Sequence, residues 1–137
     1  MTDTEILERL KPLITEIMSV PGERIQWNSV LVRDLGAESI DLLDLSFRIE
    51  EVFQVTLEAN EIEREARKKL PGGVYEKDGF LTEEALAQIA TSAPEIDASR
   101  LVKGLRKNDL PALLTVGFFV RLIARKMEAR EQEQSHA

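Results

Sequence analysis

The residues of this chain whose types and spacing could do chemistry lie in one string, Asp34-Leu35-Gly36-Ala37-Glu38-Ser39-Ile40-Asp41. By local physics the string reads as a helix start, with Gly36 for a tight turn and Ser39 capping the exposed amides. A catalytic Ser39 would need a neighbouring base to take its hydroxyl proton. The sole histidine, His136, is the penultimate residue of a polar tail, and there is no cysteine. That excludes disulfides, thiolate metal sites and a cysteine nucleophile, and leaves a serine hydrolase without its base. A second string, Glu76 to Leu81, holds a glycine turn like that of a calcium loop. With Gly79 as the sixth position, the first and last ligands would be Val74 and Ala85, and neither can ligate.

The elements that position Ser39 are legible as helices. Ile6, Leu7, Leu10, Leu13, Ile14, Ile17 and Met18 recur with the spacing of one buried helix face. Thr2 or Thr4 can cap that helix, Thr2-x-x-Glu5 fits a capping box, and Pro21-Gly22 ends it. A long loop follows, from Gly22 to Ala37, with Trp27 as its expected anchor and Val30-Leu31-Val32 as a short apolar stretch. The next helix runs from about Ser39 to Phe53. Leu42, Leu45, Ile49, Val52 and Phe53 fall in one arc that should face the core, while Ile40, Leu43 and Phe47 form a second arc, with acids between.

Glu58 to Lys69 alternates acids and bases at helical spacing, and Pro71-Gly72-Gly73 stops it. Asp78-Gly79 marks a turn, Thr82 can cap a short helix through about Ile89, and Pro94 separates it from a short piece near Ser99 to Leu105. The final helix, after Pro111 and capped by Thr115, carries Val116, Phe119, Val120, Ile123 and Met127 as a core stripe with Phe118 and Leu122 off it. No strand alternation or internal repeat is evident.

Composition sets the outer limits. The 137 residues suit one domain, and 43% apolar with 31% charged residues support a core and a solvated surface. Eighteen bases against 25 acids leave a net charge of −7, which repels nucleic acid and anionic membranes and suits basic partner proteins. No apolar run approaches the ~20 residues of a membrane span. The start lacks the pattern of a signal peptide, so a cytoplasmic location is expected.

The string around Ser39 resembles the phosphopantetheine attachment site of acyl carrier proteins. That family's pattern, Asp-x-Gly-x-Asp-Ser-Leu, reads here Asp34-Leu35-Gly36-Ala37-Glu38-Ser39-Ile40, with Glu38 and Ile40 departing from it but keeping charge and apolar character. The first helix, long loop and second helix fall where carrier proteins place theirs, and Leu113 through Arg125 looks like their last helix. The resemblance covers about residues 3–57 and 111–127. It implies an all-α, acyl-carrier-like helical bundle enlarged by extra short helices between the second and last main helices. A single domain would occupy 1–130, with 58–110 as an insertion and 131–137 as a frayed tail.

The resemblance implies a protein that is no enzyme. Ser39 would bear a 4′-phosphopantetheine arm taken from coenzyme A by a phosphopantetheinyl transferase, with Asp34, Gly36 and Glu38 at the attachment site. The arm would carry acyl intermediates as thioesters for fatty acid, lipid or polyketide biosynthesis. A helix N-terminus suits that attachment, because its dipole and free amides favour a phosphodiester. Ile40, Leu43 and Phe47, with Asp41, Asp44, Glu50 and Glu51, would meet acyl-transfer or synthase enzymes through basic docking surfaces. Counting Glu38 and Arg48, this stretch has four excess negative charges. A monomer without a membrane span or nucleic acid partner is expected. An unmodified helical adaptor, with Ser39 a plain cap, remains the alternative from another class, and an aminoacyl or peptidyl carrier the alternative within it. Phe80, Leu81, Leu86, Ile89, Ile96, Leu101, Val102 and Leu105 are expected to fold the insertion onto the bundle, over Phe118 and Leu122.

Overall fold

The computed structural model describes residues 1–57, 61–70 and 72–135. Glu58, Pro71 and His136, which entered the reading above, lie outside the described residues. The chain forms two compact units, one of Met1–Leu57 with Thr115–Ala137 and the other of Glu58–Leu114. Both are helical. Helices α1 (Asp3–Met18), α2 (Leu31–Leu35), α3 (Ser39–Phe53) and α6 (Val116–Ser135) build the first unit, and α4 (Glu61–Lys68), β1 (Glu76–Lys77), β2 (Phe80–Leu81) and α5 (Glu83–Ser92) the second.

In the first unit α1 packs on both α3 and α6, and α3 touches α6. Their shared core holds Ile6, Leu10 and Ile14, Leu45, Ile49 and Phe53, and Val116, Val120 and Ile123, all essentially buried. The capping box at Thr2 forms as its spacing predicts, the hydroxyl accepting from the Glu5 amide at 3.2 Å while the Glu5 carboxylate accepts from the Thr2 amide. Thr115 caps α6 in the same way, its hydroxyl accepting from the Phe118 amide at 3.0 Å. Phe118 and Leu122 are buried along with the expected stripe.

The segment expected to be one long loop contains a 3₁₀ turn at Gly22–Arg24 and the five-residue α2. Leu31 and Leu35, four apart, both bury their side chains, which is why so short a helix persists. Backbone bonds tie the segment to α6: Val116 donates to the Ser29 carbonyl at 2.9 Å, Gly117 to the Trp27 carbonyl at 2.8 Å, and Val30 bridges Thr115. The Trp27 ring lies against Gly117, where a Cβ would stand 2.5 Å from the indole. Trp27 is thus the anchor its position predicted.

One expectation about a helix face is corrected. Val52 is 40% exposed because it sits at the edge of the arc that Leu45, Ile49 and Phe53 bury. Residues 131–135 are the last described residues of α6. Just before them the Arg130 guanidinium donates to the carbonyls of Phe53 and Gln54 at 3.0 and 2.6 Å, closing the C-terminal end of α3, where Gln54 is left-handed with φ 56°.

The second unit has its own core of Ala66, Tyr75, Leu81, Ala85, Leu86, Ile89, Ala93, Ile96, Leu101 and Leu110. Helix α4 packs on α5. Thr82 caps α5, accepting from the Ala85 amide at 3.1 Å. Around Asp78-Gly79 the chain forms a small hairpin that alternation did not reveal, since each strand has only two residues. Asp78 and Gly79 both take positive φ, 54° and 86°, as a hairpin turn of this length requires. The piece near Ser99 to Leu105 proves to be a 3₁₀ turn at Ala98–Arg100, and a further one spans Lys107–Leu113. Phe80 and Val102, expected to pack, are 40% and 53% exposed.

A charged cluster joins the parts of this unit. Glu63 of α4 accepts from Lys107 and Arg67, each at 3.0 Å, and Lys107 also reaches Glu76 of β1 at 3.3 Å. Arg67 lies 4.9 Å over the Tyr75 ring, whose hydroxyl burial pushes up to about 12. Burial alone would raise the Glu63 pKa, but the bonds from Lys107 and Arg67 outweigh it and hold the group below its ordinary 4.5.

Two predictions follow from these contacts. Gly117→Ala should destabilise the protein by about 1–3 kcal/mol in denaturant unfolding, because the ring cannot retreat without moving the loop, and this outweighs the ~1 kcal/mol helix-propensity gain. A carboxylate held below its unfolded pKa contributes stability above that value, and the contribution is lost as pH falls through the folded value. Unfolding curves taken as pH falls below 4.5 should therefore steepen their decline in wild type and less so in Glu63→Gln.

Candidate functional site

Ser39 stands where loop becomes helix, and each residue before it has a local task. The Asp34 carboxylate accepts from the Val30 amide at 2.8 Å, holding the start of α2, and lies 3.1 Å from Arg33. Gly36 ends α2 in the left-handed region, φ 77°. Its amide donates to the Val32 carbonyl at 3.2 Å, the bond of an αL stop, while Ala37 donates to Leu31 at 2.9 Å. Ala37 is buried, which fixes the chain before it turns into α3. Asp34 and Gly36 therefore build the platform beneath Ser39.

The cap of α3 is Glu38, not Ser39. Glu38 has the extended backbone of a cap, φ −101° and ψ 170°, and its amide donates to the Asp41 carboxylate at 2.9 Å. Ser39 is the first helical residue, exposed, and among the described residues nothing hydrogen-bonds its hydroxyl. The amides of Ser39 and Ile40 precede the first carbonyl of the helix they could bond, so they face outward beside that hydroxyl. This arrangement offers an accessible oxygen at the positive end of a 15-residue helix.

Beyond Ser39 the exposed side of α3 carries Ile40, Leu43 and Phe47, which are 70%, 56% and 60% exposed. At ~100° per residue they share one arc of roughly 120° with Asp44, Glu50 and Glu51. Asp41 lies roughly 60° outside it. Asp44 pairs with Arg48 at 3.3 Å, and Arg48 also bonds Glu16 of α1, so the one cation of the face is already engaged. Exposed apolar groups flanked by carboxylates have the composition of a contact surface rather than of a core. The sequence reading missed the role of Gly117, whose only local sign is a glycine inside an apolar helix. Among the described residues no group of acids or histidines could hold a metal ion, and no helix is long and apolar enough to cross a membrane.

Fold and site together give a helical scaffold that presents an exposed serine hydroxyl at a helix start. The pattern of the family described as a phosphopantetheine attachment site matches residues 8–66. The acyl carrier protein of Petrotoga mobilis is 34% identical over 64 residues, 47% of this chain and 75% of its own. That of Thermosynechococcus vestitus is 33% identical over 64 residues, 47% of this chain and 79% of its own, and that of Campylobacter fetus 30% over 59, 43% and 77%. No solved structure matches. The chain belongs to the acyl carrier protein family, and its prosthetic group is covalent 4′-phosphopantetheine.

Because Ser39 is not the cap, Ser39→Ala should change stability by no more than about 0.5 kcal/mol. Gly36→Ala should cost about 1–2 kcal/mol, the penalty of a side chain in the left-handed region. Parallel urea titrations of the two variants would show the contrast.

Proposed function

We propose that Ser39 is the attachment point of the arm and that the protein carries acyl groups on it as thioesters between partner enzymes, with no catalysis of its own. The observation that carries this reading is the Ser39 hydroxyl, exposed and unengaged at the first helical position within the matched family segment. The residues present suit the group. A phosphodiester on Ser39 would lie beside the outward amides of Ser39 and Ile40, at the favourable end of the helix dipole. Asp34 and Gly36 hold the turn, and Glu38 with Asp41 closes the cap without using the serine. The arm supplies the thiol that bears the acyl group.

Ile40, Leu43 and Phe47 form the desolvated part of a docking face, and Asp41, Asp44, Glu50 and Glu51 steer basic surfaces of a phosphopantetheinyl transferase and of acyl-transfer or synthase enzymes. The cargo class is acyl, for fatty acid, lipid or polyketide synthesis in the cytoplasm. The names of the relatives support an acyl cargo. Mass spectrometry after incubation with a phosphopantetheinyl transferase and coenzyme A tests the reading. Wild type should gain one phosphopantetheine and Ser39→Ala none. The pair Asp41→Lys with Asp44→Lys should slow the reaction at low salt and lose most of that deficit at high salt, as screening of exposed charge demands. An adduct on Ser39→Ala would move the attachment elsewhere, and none on wild type with several transferases would leave an unmodified adaptor.

A further inference from the structure

The second unit carries a surface opposite in sign to α3. Phe80 of β2 pairs with Lys77 of β1 on one side and with Arg106 on the other, both antiparallel. Directly opposed residues of such a ladder share a face, so the three side chains stand in one row with the aromatic ring in the middle. The Arg106 guanidinium lies 5.1 Å from the ring centroid, and Phe80 is 40% exposed. A turn precedes the Arg106 segment, closed by the Leu105 amide on the Val102 carbonyl at 3.1 Å with Gly104 at φ 98°. It presents Lys103 and the half-exposed Val102 next to the row. From 98 to 108 the chain has four bases and no acid.

These cations differ from others in the same unit. Arg67, Lys68 and Lys107 are each paired with a carboxylate. Among the described residues no acid pairs with Lys77, Arg100, Lys103 or Arg106. Unpaired cations around an exposed aromatic, in a chain of net charge −7, are the complement of a carboxylate-rich surface with apolar side chains at its centre. The α3 face has that composition, and Ile40, Leu43 and Phe47 stand uncovered on it in the folded chain, as Phe80 and Val102 do on theirs.

We propose that the hairpin face of one molecule docks the α3 face of a second copy. Phe80 and Val102 meet Ile40, Leu43 and Phe47, while Lys77, Lys103 and Arg106 face Asp44, Glu50 and Glu51. The contact joins two different surfaces of identical chains, so it is heterologous. It is small and edged by exposed charge, which makes it weak, reversible and salt-sensitive. It competes for the same face that partner enzymes would use, so the free carrier is self-shielded when concentrated. The inference uses the exposure of α3 and is independent of what Ser39 bears.

Sedimentation equilibrium on the full chain tests it with two charge-reversed variants. Lys77→Glu with Arg106→Glu makes both faces acidic, and Glu50→Lys with Glu51→Lys weakens or reverses the acidic one while sparing the Asp41 cap contact and the Asp44–Arg48 pair. Wild type should gain average mass with concentration at low salt, with an affinity roughly tenfold weaker at high salt. Neither variant should associate alone, and an equimolar mixture should, because mixing restores an opposite-charge pair. Amide shifts of the wild type supply a reading that does not depend on how the variants fold: Ile40 to Phe47 and Lys77 to Phe80 should move together on concentration. A wild type monomeric at millimolar concentration, a mixture no different from its components, or shifts on one surface alone would overturn the proposal. So would binding to phosphatidylglycerol vesicles without self-association, which would make the hairpin a membrane contact.

Discussion

The indole of Trp27 occupies the space where any residue larger than glycine at 117 would put its Cβ, and the site depends on that closeness. The loop before Ser39 is too long to hold its own shape, so its course is set by what it is fastened to. Backbone bonds from Val116 and Gly117 to the Ser29 and Trp27 carbonyls fasten it to the start of α6, and a third tie runs through Val30 and Thr115. Once Val30 is held, Asp34 can reach back to its amide, α2 forms, and Gly36 ends it one turn later. Ser39 then emerges with a defined direction. Without the Trp27 contact the same string would still favour a turn and a helix start, but nothing would aim the hydroxyl.

Transferring the cap from Ser39 to Glu38 has a chemical consequence for the hydroxyl. A serine engaged with its own helix amides would have to surrender a hydrogen bond before becoming a point of attachment. Here the Glu38 amide and Asp41 carboxylate close the helix end, leaving the Ser39 oxygen free. Carriage by a covalent arm needs an accessible oxygen and a tolerant electrostatic setting, and it needs no base on the carrier. The absence of cysteine and the remoteness of histidine in sequence, which exclude many reactions, cost such a protein nothing.

Helix α3 serves two environments with one sequence. Leu45, Ile49 and Phe53 are fully committed to the core, while Ile40, Leu43 and Phe47 stay in water beside carboxylates. Holding large apolar side chains in water is unfavourable, and α3 is stable enough to do so because Arg130 closes its far end and Arg48 ties it to α1 through Glu16. Its stability comes from the core side and the ends, which leaves the exposed side in water.

What the sequence determined alone is whatever is encoded within a turn or two of helix. The heptad-like spacing of α1, the caps at Thr2, Thr82 and Thr115, the Asp78-Gly79 turn and the acid-flanked apolar arc of α3 all follow from neighbours at fixed short separation, whose geometry the local backbone dictates. The turn at Gly36 and the helix start after it belong to the same class. Tertiary structure decided everything that depends on residues far apart in the chain: that α2 condenses out of the loop, that Val52 falls outside the core, that α6 runs on past Arg130, and that Trp27 rests on Gly117. It also aligned Lys77, Phe80 and Arg106, drawn from three separate segments, into one row. Burial and cross-strand pairing are set by which surfaces meet, and no local periodicity carries that information.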